Sequence, residues 1–209
     1  INFANQNLGG ANLSNAGLAG ADLSQANLAN GRLSSANLSN AILTGAIFSG
    51  VQIDNANLSG TNVTPSQLYA TSTYQSGNLS GIGLANTSLN GINLSNVYLA
   101  GANFAQANLS QANLNQASFG YANLEGANLT GSDVRGASFY VDPEYYGGTG
   151  LTLSQLYSTA SYQDQNLTAI KLNGNVLVGA NFVGQNLLDA SFSYAALNNT
   201  NFSQANLTS

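Results

Sequence analysis

A large apolar residue recurs at every fifth position of this chain, and the residue two places before it is usually small. Leu13, Leu18, Leu23 and Leu28 follow Ala11, Ala16, Ala21 and Ala26. A period of five suits neither regular element. In an α-helix five residues advance about 500°, so the leucines spiral around the rod and make no stripe. In a strand an odd step turns the side chain to the opposite face each time. The pattern is satisfied when the chain turns a corner every five residues and each short side points its central residue inward. Such a chain is a solenoid, in which one repeat cannot close a core and stacking buries a continuous one.

The unit reads Ala-Asn-Leu followed by two turn formers, as in Ala26-Asn27-Leu28-Ala29-Asn30, Ala107-Asn108-Leu109-Ser110-Gln111 and Ala127-Asn128-Leu129-Thr130-Gly131. It closely resembles the pentapeptide-repeat family, whose motif is A-(D/N)-L-x-x. Thirteen central residues run from Phe3 to Val63, thirteen from Leu79 to Phe139 and nine from Leu167 to Leu207. The resemblance implies an all-β, right-handed quadrilateral β-helix with four pentapeptides per coil. The residues alone give a turning solenoid; the handedness and the count of four come from the family. Phenylalanine spacing agrees with four sides. Phe119 and Phe139 are 20 apart, as are Phe182 and Phe202, while Phe192 falls midway between the latter two.

Leu23, Leu58, Leu109, Phe119 and Leu129 are therefore expected in the lumen, with Asn27, Asn57 and Asn108 facing outward. Asn, Ser, Gly and Thr supply the corners. Gln6, Gln165, Gln185 and Asn175 stand where a small residue is expected, so each must find a hydrogen-bond partner or swing outward.

The phase breaks twice, in matching ways. Thr64-Pro65-Ser66-Gln67-Leu68-Tyr69 precedes Tyr74-Gln75, and Thr152-Leu153-Ser154-Gln155-Leu156-Tyr157 precedes Tyr162-Gln163, 88 residues later. Thr-x-x-Gln is a capping-box pattern, and Pro65 suits a first helical position. The spacing predicts one short helix over 65–71 and another over 153–159, each replacing a side of the coil. The expected organisation is one continuous solenoid: repeats over 1–63, a helical insertion over 64–78, repeats over 79–139, a loop plus insertion over 140–166, and repeats over 167–209. Tyr69, Tyr74, Tyr157 and Tyr162 either pack the insertions onto the coil wall or form two equivalent aromatic binding spots. Their identical spacing in both copies favours packing.

A third irregularity is unique. Tyr140-Val141-Asp142-Pro143-Glu144-Tyr145-Tyr146-Gly147-Gly148 separates Phe139 from Leu151. Asp-Pro and Gly-Gly mark turns, and loops on rigid scaffolds carry function. Tyr140, Asp142, Glu144, Tyr145 and Tyr146 are thus a candidate interaction loop, against the plainer alternative of an inert bulge that absorbs a phase shift.

Composition narrows the chemistry. The 209 residues include no Cys, His or Met, and only 5% are charged, for a net charge of −5. The common general base, the thiol nucleophile and the usual zinc ligands are missing. Asp142 and Glu144 on one loop are too weak a pair to assign a metal. No catalytic residue, metal or cofactor is assigned, and the chain is read as a non-enzyme. Asp133 and Arg135 flank Val134 and are expected to pair only at the surface. No apolar run is long enough to span a membrane. No signal peptide is recognised, and a chain that begins at Ile1 inside a repeat reads as a piece of a longer protein or one with covered ends.

Some members of the resembled family inhibit DNA gyrase by imitating DNA. A rod of about 45 Å would face roughly 26 duplex phosphates. Eight acidic and three basic residues fall far short of that, and three cations give no nucleic-acid surface. The sequence is read first as a structural or protein-interaction solenoid of an extracytoplasmic bacterial assembly, and second as a DNA-mimic inhibitor. Expected partners are another protein, or a second copy through the solenoid ends.

Overall fold

The computed structural model describes residues 1–142 and 149–208. Each five-residue unit forms one short side and one corner. The corner closes when an amide three residues after the central residue donates to the central carbonyl, as Ala26 does to Leu23 at 3.0 Å and Gly31 to Leu28 at 2.9 Å. The third residue of each such turn has positive φ, 58° at Gln25 and 59° at Asn30. Positive φ at the third residue and not the second is the type II signature, which explains the Gly and Asn found there.

Coils stack through parallel bridges between residues 20 apart, such as Asn7 with Asn27, Asn27 with Ile47 and Asn108 with Asn128. Four units therefore complete one coil. Each side offers one bridged residue before the chain turns again. The expected all-β character accordingly takes the form of isolated bridges among the described residues, because a five-residue unit is too short for a longer ladder.

Leu23, Leu58 and Leu109 have no solvent exposure, and Phe119 and Leu129 are also buried. Each contributes roughly 1.5–3 kcal/mol. Phe119 stacks on Phe139 with centroids 5.3 Å apart and planes within 6°. Phe182 and Phe202 do the same at 5.2 Å and 12°. Phe192 meets both edge-on at 5.6 Å.

The asparagines are more than outward decoration. Asn27 Oδ1 accepts from the Ala29 amide at 3.0 Å, and its Nδ2 donates to Asn7 Oδ1 at 3.0 Å in the neighbouring coil. Asn108 accepts from the Ser110 amide at 3.1 Å and from Asn128 Nδ2 at 3.2 Å. One amide thus fixes a corner and ties two coils together, so Asn27, Asn57 and Asn108 are half-buried.

Each break holds two helices where one was expected: α1 (Pro65–Tyr69) and α2 (Ser72–Gln75), then α3 (Leu153–Ser158) and α4 (Ala160–Gln163). Thr64 and Thr152 cap α1 and α3 with complete capping boxes, and Thr71 and Thr159 cap α2 and α4. Those second caps stop the first helix early, because a capping Thr takes extended backbone. The inward phase continues through the break: Val63, Leu68, Thr73 and Leu79 are all buried. The helices stand in for two sides, and one further six-residue step is added. Asn57 consequently bridges Gly83, and Ser138 bridges Lys171 across the second, longer break.

Candidate functional site

The two breaks carry most of the irregular polar chemistry, so the candidate residues are best taken from there. Gln67 has two tasks. Its Oε1 accepts from the Thr64 amide at 2.9 Å, and its Nε2 donates to the carbonyls of Leu43 at 2.7 Å and Ala46 at 3.1 Å. Gln155 repeats this with Thr152 at 3.0 Å, Leu124 at 2.7 Å and Ala127 at 3.1 Å. The capping side chain also anchors the helix to the coil beneath.

The tyrosines act as a clamp. The Asn93 amide donates to the Tyr69 hydroxyl at 2.7 Å, and the Tyr74 hydroxyl donates to the Asn93 carbonyl at 2.7 Å. Tyr157 and Tyr162 treat Asn181 in the same way, at 2.8 Å and 2.7 Å. A helix cannot offer the backbone groups that a coil side presents to the next coil, and the two phenols supply them. The rings of each pair also touch, with centroids 4.9 Å and 4.6 Å apart. Partial burial first, and the neighbouring phenol second, raise the pKa of Tyr74 and Tyr162 above the ordinary tyrosine value. Both stay protonated donors at neutral pH.

Sequence reasoning missed several participants. Thr73 Oγ1 accepts from the Ile53 amide at 2.8 Å, and Ser161 Oγ accepts from the Val134 amide at 2.9 Å. A hydroxyl here replaces a backbone carbonyl of the interrupted coil. The signal was present: Thr73 and Ser161 are the polar residues that fall on the inward phase.

Of the Tyr140–Gly148 loop, Tyr140 and Asp142 lie among the described residues; Glu144, Tyr145 and Tyr146 lie outside them. Tyr140 packs edge-on against Tyr121 at 5.1 Å. The loop's base is held by Asn175, which is buried. Its Oδ1 accepts from the Leu151 amide at 2.8 Å, and its Nδ2 donates to the Phe139 carbonyl at 2.7 Å. One amide therefore joins the residues on either side of the loop. Beside it, Gly174 has φ +74°, and a Cβ there would collide with the Val141 carbonyl oxygen.

The other large residues at small positions divide as chemistry requires. Gln6 and Gln165 are exposed. Gln185 is buried and donates to the Tyr162 carbonyl at 2.9 Å, while its Oε1 has no partner. Arg135 and Asp133 form a two-point pair, Nε to Oδ1 at 2.9 Å and Nη2 to Oδ2 at 2.6 Å. Ser161 Oγ also donates to Asp133 at 3.0 Å. The Arg135 hydrogen bond leads in holding the Asp133 carboxyl below its ordinary pKa, against a burial penalty.

Among the described residues no group of three or more acidic, His or Cys side chains is placed to hold a metal ion. No described helix is long and apolar enough to cross a membrane.

The sequence profile named pentapeptide repeats matches over residues 1–34, 32–64, 78–116, 107–140, 166–204 and 186–209. No curated protein sequence matches. Among solved structures, full-length QnrB1, a plasmid-mediated fluoroquinolone resistance protein, is 16% identical, covers 92% of this chain and 93% of its own, and has a TM-score of 0.34. HetL of the cyanobacterium Nostoc, a pentapeptide repeat protein involved in heterocyst differentiation regulation, is 24% identical over 98% of this chain and 86% of its own, at a TM-score of 0.23. A pentapeptide repeat protein of the Arabidopsis thaliana thylakoid lumen is 21% identical over 64% of this chain and 61% of its own, at 0.25. The profile leaves out little but the two breaks, and its unit is the one whose corner, lumen residue and asparagine ladder are described above: the chain belongs to the pentapeptide repeat family.

Proposed function

We propose that this chain is a non-enzymatic interaction solenoid, a right-handed quadrilateral β-helix that presents fixed outer faces to a protein partner. One observation carries the proposal: its polar side chains are engaged in building its own frame. Asparagines bond the corners and each other, glutamines and threonines cap and anchor the helices, and tyrosines clamp the next coil. A nucleophile or general base needs a side chain free to move a proton, and these are hydrogen-bonded in place. The Tyr140–Gly148 loop is the proposed partner-facing element, since a loop on a rigid scaffold displays side chains at low ordering cost.

A DNA-mimic role gains nothing from the outer faces. The positions where a mimic would carry carboxylates hold neutral amide ladders, Asn7 with Asn27 and Asn186 with Asn206.

The test has two arms. Deleting 143–148 should abolish capture of a partner without lowering the melting temperature. Stoichiometric inhibition of gyrase supercoiling would replace this proposal with the mimic.

A further inference from the structure

Charge is scarce in this chain, yet four charged residues meet beside the second helix pair. An open cleft of about 600 Å³ is lined by Arg135, Lys171, Asn115, Gln116, Asn166 and Thr168. It shares Arg135 and Asn166 with a smaller cleft of about 190 Å³, which holds Asp133 and Asp164. The cations line the larger cleft, and the acids line only the smaller one.

The first helix pair is an internal comparison. It has the same frame: Gly50 donates to Ala70 at 2.8 Å as Gly131 does to Ser158 at 2.8 Å, and Ser72 to Val51 at 3.0 Å as Ala160 to Ser132 at 2.9 Å. In matching places it carries Gln52 for Asp133, Asp54 for Arg135, Ser76 for Asp164 and Gly83 for Lys171. The fold forms there without these four charges, so folding does not explain them.

We propose that the larger cleft binds a hydroxylated carboxylate of the uronic-acid class. Arg135 is held in one orientation by Asp133, which occupies Nε and Nη2 and leaves the rest of the guanidinium to the cleft. Lys171 is exposed and supplies a second positive charge. Two cations with two carboxylates close behind them suit a monoanion better than a phosphate dianion. The Asn115 and Gln116 amides and the Asn166 Nδ2 group supply donors and acceptors for sugar hydroxyls, while the Thr168 hydroxyl holds Asn166 in place by donating to its Oδ1 at 2.7 Å and accepts from Asn186 Nδ2 at 3.1 Å.

Uronates occur free and within acidic polysaccharides, and the experiment separates these sources. The intact chain is titrated by NMR and calorimetry with sodium glucuronate, a tetraglucuronate and glucose. Saturable binding of glucuronate is expected, with glucose weaker by about tenfold or more. Equal affinity for monomer and tetramer identifies the free acid as the ligand; tighter binding of the tetramer identifies the polymer. Lys171→Ala should weaken binding about fivefold or more with an unchanged circular dichroism spectrum. The double variant Asp133→Asn/Arg135→Gln should abolish it without leaving a lone carboxylate. Should the double variant lose its fold, Lys171→Ala decides alone. No saturation with either uronate, equal binding of glucose, or full affinity in Lys171→Ala overturns the proposal.

Discussion

The Tyr74 hydroxyl donates to the Asn93 carbonyl at 2.7 Å, across 19 residues of chain and onto the next coil. This is one residue short of the 20-residue bridge spacing, so the phenol arrives where a backbone amide would have been. Tyr74→Phe should therefore cost about 0.5–1.5 kcal/mol. Combining it with Tyr69→Phe, which also leaves the Asn93 amide unpartnered, should cost more than either alone. Urea unfolding of the single and double variants measures both.

The capping glutamines make a sharper comparison. Thr152→Ala removes the cap and should cost about 1 kcal/mol. Gln155→Ala should cost more, because it also leaves the Leu124 and Ala127 carbonyls without its donor. Equal losses in calorimetric stability would show that the anchor to the coil contributes nothing.

In the lumen, Leu109 has no exposure. Leu109→Asp should destabilise its coils by more than about 3 kcal/mol, since an unpaired carboxylate cannot sit in a dry core. Stability in a stack is a sum of neighbour terms, so amide exchange should rise most in the coils on either side. An unchanged far-ultraviolet spectrum and melting temperature would disprove the inward assignment.

Asn175→Leu keeps the volume but removes the bonds that join Phe139 to Leu151. A loss of about 2–4 kcal/mol follows from two orphaned buried groups. Proteolysis should then cut within 140–150 faster than in the parent protein.

Acid stability has a definite sign. The folded-state pKa of Asp133 lies below its ordinary value of 3.8, chiefly through Arg135. Its contribution is therefore complete above that value and is lost as pH falls through the lower, folded-state value. The pair is partly exposed, so the effect is small. Urea midpoints at pH 6 and pH 2 should differ less in Asp133→Asn than in the parent.

The lumen was legible in the sequence because one apolar residue in five cannot be placed any other way. The first helix caps were legible because Thr-x-x-Gln encodes both of its bonds locally. Thr71 and Thr159 were not, since a second cap three residues after a helix's last buried leucine has no apolar run behind it. Nor were the partners of Tyr69 and Tyr157, each 24 residues away and reached only once the added six-residue step is known. Asn175 read as a misfit; its meaning depends on a loop base that exists only when Phe139 and Leu151 come together. The cleft at Arg135 and Lys171 joins three separate stretches, and no local pattern announces it.

The bridge from Asn57 to Gly83 spans 26 residues where its neighbours span 20. In the vocabulary of crystals this is a dislocation: extra material enters one layer, and the lattice regains its register in the layer above. A dislocation heals because each layer senses only the layers it touches. Here the tyrosine clamp is the healing contact, returning to the next coil the two bonds that the helices withhold. A polymer with this property can accept new matter at any layer that carries such a clamp, and its distant layers are not required to adjust.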